Sequence, residues 1–153
     1  MTTSFSAPDL TRRPPRSPRL RLGGYVLLPR MLDKVRALNA GTAGEYRFGP
    51  HRMDRHFLAF VGLDAEAFRA AAARGLGDEE MLAWVQANAR TPRAPWEIAA
   101  WSAYHENRGP DSDAETLAEF AAAVGALSRT REDIRTWFDL LDLDDHCTFG
   151  GRP

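Results

Sequence analysis

Cysteine is almost absent from this chain. Cys147 is the only one in 153 residues, so an internal disulfide is excluded and nothing asks for an oxidising compartment. Lysine is as scarce: 19 of the 20 basic residues are arginine, with Lys34 the exception, and GC-rich coding accounts for that bias more simply than wholesale anion recognition. No apolar run approaches the ~20 residues that cross a bilayer. The first strongly apolar cluster, residues 25–28, does not form the h-region of a secretory signal. These absences point to a soluble, cytoplasmic protein with no membrane partner. Gly23-Gly24 lacks both the spacing and the preceding strand of a phosphate-binding loop.

What is present is charge laid out unevenly. Residues 1–36 carry eight basic side chains against Asp9 and Asp33, while the remaining 117 carry 12 bases against 19 acids. A formal net charge of −1 therefore hides a basic arm joined to an acidic body. Residues 1–22 read as an extended Arg/Pro-rich arm, because Pro8, Pro14, Pro15 and Pro18 push their predecessors out of helical backbone. In a polyproline II conformation Arg13, Arg16 and Arg19 line one edge.

From residue 23 to about residue 150 the pattern is helical. Val26, Leu27, Met31, Val35 and Leu38 form an apolar stripe, with the helix starting near Leu28, Pro29 in its first turn and a stop at residues 39–41. Residues 44–49 alternate between glycines as a short strand would. Further helices are punctuated over 52–61 (Gly62 after it), 65–74 (Asp64 cap, Gly75 after) and 79–88 (Asp78 cap). Another spans 96–108, opened by Pro95 and closed by Gly109. A capping box at Ser112-Asp113-Ala114-Glu115 opens the next, and Thr130 caps a last one over 131–145. The fold class is all-α: one compact domain of about seven short helices, preceded by the arm.

The chemistry-bearing residues form two groups. In the last helix Ile134, Trp137, Phe138 and Leu141 make a core-facing stripe, while Asp142, Asp144 and Asp145 crowd the turn where the helix dipole is already negative. Arg16, Arg19 or Arg21 of the arm is the simplest answer to that charge, as an intramolecular clasp. Asp142, Asp144, Asp145 and His146 are otherwise candidate metal ligands, although the glycine and distal glutamate of a calcium loop are lacking; no cofactor is expected. The second group is His105 with Asp111 and Asp113, candidates for acid–base chemistry, and Tyr104 with Arg108 beside them as lining of a cleft. The four tryptophans are assigned to the core by default.

Several strings carry a further signal: Arg13-Pro14-Pro15-Arg16-Ser17-Pro18-Arg19, Leu28-Pro29-Arg30-Met31-Leu32-Asp33-Lys34, Pro95-Trp96-Glu97-Ile98 and Trp137-Phe138-Asp139-Leu140-Leu141-Asp142-Leu143-Asp144-Asp145. In this order they resemble the bacterial domain-of-unknown-function family numbered 5069 across nearly the whole chain. The resemblance implies a stand-alone bacterial protein to which the arm belongs, and carries no activity or ligand with it. The functional expectation is thus a non-enzymatic binding module. It recognises an anionic small molecule or protein segment through Arg16, Arg19, Arg30, Tyr104 and Arg108, with nucleic acid disfavoured by the acidic body. The alternative is a small acid–base enzyme around His105 and Asp111 or Asp113. Oligomeric state is not legible from the residues.

Overall fold

The computed structural model describes residues 6–50, 53–110 and 113–153. Its centre is α1 (Leu28–Ala40), whose apolar stripe leaves little of the helix in contact with water: Met31, Leu32 and Val35 are fully buried. Pro29 stands in the first turn, and Gly41 closes the last in left-handed backbone, its N–H reaching Ala37 and Leu38 carbonyls. Around α1 lie α2 (Asp54–Val61), α3 (Ala65–Ala72), α4 (Asp78–Asn88), α5 (Pro95–Asn107), α6 (Ala114–Leu127) and α7 (Trp137–Thr148). The described residues thus form seven helices and no strand, an all-α single domain. None of the helices is long and apolar enough to cross a membrane.

Burial explains the arrangement. Phe57 and Val61 of α2, Phe68 of α3, Met81 and Val85 of α4 and Phe138 of α7 all close on the α1 stripe. Tyr25 stands edge-on to Phe57 with centroids 5.2 Å apart, and Phe60 stacks on Trp101 at 4.9 Å. Two tryptophans join this core as expected: Trp84 and Trp101 are partly buried against it. Trp137 packs instead edge-on to Phe120 of α6. Trp96 does not follow the expectation. It is 74% exposed, because Pro95 starts α5 with this side chain on the outer face.

Punctuation read from sequence is corrected in three places. Residues 44–49 form no strand, since Gly44 and Gly49 both take positive φ (58° and 148°) and turn the chain. Asp78 does not cap α4. Gly77 occupies that position with Glu80 accepting from its N–H, and the Asp78 carboxylate faces Arg16 and Arg36. The last helix begins six residues later than Thr130 suggests: Thr136 caps it by accepting from the Asp139 N–H, and the Asp139 carboxylate accepts from Thr136 in return. Ile134 therefore precedes the helix. Because α7 runs on to Thr148, Asp142 and Asp144 precede its last turn, and Asp145 alone of the three stands in it, its carbonyl accepting from the Phe149 N–H. Asp113 caps α6 by accepting from Thr116 N–H; Ser112, expected as that cap, and Arg52, expected to open the second helix, lie outside the described residues.

Leu27, immediately before α1, is the one non-glycine residue among those described with positive φ (70°). For a bulky side chain such backbone costs on the order of 1–3 kcal/mol. It is held because Leu27 is 1% exposed and its N–H donates to Pro18 carbonyl at 3.0 Å.

Candidate functional site

Arg30 and Lys34 are one turn apart on α1, on a helix that is otherwise pressed into the core. Burying a cation is tolerable only with a counter-charge in reach. Arg30 finds it in α7: its guanidinium grips Asp145 through two bonds of 2.7 and 3.2 Å, with side-chain exposures of 6% and 8%. Tyr46 Oη donates to the same carboxylate at 2.7 Å. Burial, reinforced by that bond, pushes the phenol well above its ordinary range, so Tyr46 is a neutral donor. Lys34 Nζ is held by both Asp54 oxygens (2.8 and 2.9 Å) and by the Arg47 carbonyl (3.1 Å).

Arg30, Tyr46 and the Lys34–Asp54 pair floor a cleft of about 310 Å³ between α1, the 45–47 turn, the start of α2 and α7. Leu27, Met53 and Leu141 give it apolar wall, and the strained Leu27 backbone stands at its edge. Glu45, Arg47 and Asp144 complete the rim. Asp144 is exposed at the surface, yet the cleft wall and then neighbouring Asp145 push its carboxyl up. Arg47 is exposed and, among the described residues, its guanidinium has no acceptor.

The arm's arginines go elsewhere. Arg16 bridges Asp33 (3.0 Å) and Asp78 (2.7 Å), and Arg36 meets Asp78 from the other side at 2.8 Å. Arg19 pairs with Asp139 and, at 3.2 Å, with Asp142, which also accepts from Ser17 Oγ at 2.8 Å. Arg21 reaches Glu106 on α5 at 3.0 Å. Thus Arg16 and Arg19 are spent on carboxylates of the body, and Arg30 alone of the predicted arginine set lines the cleft. Of the last-helix acids, Asp142 and Asp145 are engaged by arginines, and His146 Nε2 lies 2.9 Å from the Arg152 carbonyl. Among the described residues no three histidine, cysteine, aspartate or glutamate side chains converge as a metal would require.

The second predicted group is also rearranged. His105 is 5% exposed and packs against His56 of α2, centroids 4.8 Å apart, and against Trp101. Arg108 Nη1 lies 3.5 Å from His56 Nε2. Burial, the neighbouring imidazole and Arg108 together pull His105 down from 6.5 to about 4, and burial and Arg108 lower His56 too. His105 meets no carboxylate among the described residues. Asp113 is 2.8 Å from the Thr116 N–H it caps, Tyr104 is 62% exposed, and Asp111 lies outside the described residues.

Sequence reasoning missed Lys34, Asp54, Tyr46 and His56. Lys34 carried a signal: it sits three residues after Met31, inside the apolar stripe, where a lone cation demands a partner. Over residues 12–147 the chain matches the model of the family described as Domain of unknown function (DUF5069), and it belongs to that family. No curated protein matches it.

Proposed function

We propose that this family member is a non-enzymatic binding module whose ligand is a small anionic molecule that also carries hydrogen-bond donors, seated in the cleft over Arg30 and Lys34. One observation supports this reading above the rest: two buried, carboxylate-locked cations floor a cleft whose rim cation, Arg47, is free among the described residues. The locked pairs cannot swing away and make a rigid polar floor, so little ordering is required on binding. Arg47 supplies the mobile guanidinium for a carboxylate or phosphate. Glu45 and Asp144 repel a bare anion but accept from hydroxyl or amine groups, which selects hydroxy acids, sugar phosphates or amino acids over simple salts. The apolar wall takes a short carbon skeleton. About 310 Å³ is the low end of small-molecule sites, matching a ligand of that size.

Acid–base catalysis at His105 has less support, since a base needs a carboxylate or substrate proton within reach and His105 is surrounded by rings and Arg108. The arm contributes structure to the module: it presses on the body through Arg16, Arg19 and Arg21 instead of offering them to a partner. A thermal-shift panel of hydroxy acids, sugar phosphates, nucleotides and amino acids, at low and high salt, tests the reading. A salt-sensitive stabilisation lost in Arg47→Ala and Tyr46→Phe supports it. A hit that both variants retain refutes the cleft as the site.

A further inference from the structure

The outer face of α5 is without charge along its whole length. Trp96, Ala99, Ala100, Ala103 and Tyr104 all point to solvent, and Trp96 and Tyr104 are 74% and 62% exposed. The acids at the two edges of the face are already neutralised within the chain, Glu97 by Arg93 at 3.2 Å and Glu106 by Arg21 at 3.0 Å. A large aromatic exposed to this degree on a helix is the most informative kind of apolar surface, since isolated exposed leucines are ordinary.

The spacing of the face identifies its occupant. Trp96 and Tyr104 stand four residues before and four after Ala100, each about 6 Å along the axis from it. The pattern is ridge, valley, ridge, with alanines as the valley. A two-fold axis through Ala100 lays a second α5 antiparallel on the first, with Trp96 of each copy against Tyr104 of the other. The alanines let the helix axes approach to the short end of the usual 8–10 Å. Such a surface is its own complement, which is the requirement of an isologous pair. Area agrees: aromatics bury ~150–250 Å² each, so four rings at about two-thirds exposure supply roughly 500 Å². That is half of the ~1,000 Å² a specific interface needs, before the alanine valley and its borders are counted. The neutralised edges remove the repulsion that two copies of an acidic body otherwise feel. We infer that the protein is a homodimer, paired antiparallel through the Trp96–Ala100–Tyr104 face of α5.

Analytical ultracentrifugation of the full chain over a concentration series, with circular dichroism as the folding control, reads this directly. Wild type should sediment as a dimer, and Trp96→Glu as a folded monomer, with association weakened roughly a hundredfold or more as for a central aromatic anchor. In a Cys147→Ser background, Ala100→Cys should crosslink two copies on mild oxidation, since the two Cα atoms meet at the axis. Ala126→Cys on α6, exposed and off the face, should not. A wild type that stays monomeric at every concentration overturns the inference, as does a dimer indifferent to Trp96→Glu or crosslinked equally by both cysteines. Protection of Trp96 only in the presence of a different protein overturns it as well.

Discussion

Acidification from neutrality to about pH 4 should weaken the fold through the His56–His105–Arg108 contact. The sign follows from burial. His105 in the folded chain sits at about 4, below its ordinary 6.5, so folding favours the neutral ring. The stabilisation is complete above pH 6.5 and is withdrawn as pH falls through the interval to about 4. At 1.36 kcal/mol per pH unit the full loss is about 3 kcal/mol, of which about 2 kcal/mol is gone at pH 5. His56 acts in the same direction, lowered first by burial and then by Arg108 and, on its own helix, Arg55. The carboxylates of α2 and α5 are engaged elsewhere: Asp54 is paired with Lys34, Glu106 with Arg21 and Glu97 with Arg93. Urea unfolding across this range measures the effect, and at this size the thermal midpoint should fall by about 4–8 °C by pH 5. The part of the window above about pH 5 is diagnostic, because the stability from carboxylates held low, such as Asp78 and Asp139, is lost only below it. His105→Gln should flatten the profile. A wild-type profile already flat above pH 4, or a variant that keeps the wild-type slope, refutes the reasoning.

Breaking the buried pair should be costly and replacing it cheap. Asp145→Ala strands the Arg30 guanidinium and the Tyr46 hydroxyl, a loss of about 3–5 kcal/mol by denaturant unfolding, whereas Arg30→Met with Asp145→Leu should recover most of it. Arg16→Ala leaves Asp33 and Asp78 facing each other less one cation, and should destabilise by about 1 kcal/mol, measurable as a salt-dependent midpoint shift; Arg12→Ala, on an exposed stretch, should stay within about 0.5 kcal/mol. Gly62→Ala places a Cβ 2.9 Å from that of Arg90 on a backbone with φ of 69°, and should lower stability by at least about 1 kcal/mol in the same assay.

Local signals were legible because they act locally. Pro29, Gly41, Gly62, Asp64 and Pro95 each do their work within one turn of themselves, and the elements they bound are found where their chemistry places them. Thr130 and Asp78 misled for a physical reason: a capping side chain competes for other partners, and Asp78 had two arginines waiting. The cleft was harder to read. Arg30 and Asp145 are 115 positions apart and Lys34 and Asp54 are 20, and nothing in an Arg-rich, Asp-rich chain says which acid answers which base. His56 and His105 meet only because Trp101 of α5 packs on Phe57 and Phe60 of α2. Trp96 defied its default since residue type sets the gain from burial, while the phase of the helix sets whether burial happens.

The arm's bonds also impose an order in time. Ser17 and Asp142, which join across the finished molecule, are 125 positions apart, and Arg19 and Asp139 are 120 apart. At ~5–20 residues per second, a ribosome delivers the first of each pair roughly 6–25 seconds before the second. For that interval Ser17 and Arg19 are without the carboxylates they hold in the finished molecule, whereas Arg16 meets Asp33 and Asp78, and Arg21 meets Glu106, on segments made earlier. Prolines at 8, 14, 15 and 18 keep the arm free of helix meanwhile, beyond the short turn that Arg12 and Arg13 close on the Asp9 carbonyl. α7 is then the clasp that closes last on this part of the arm, and Ser17 and Arg19 cannot be fixed in place before it is made.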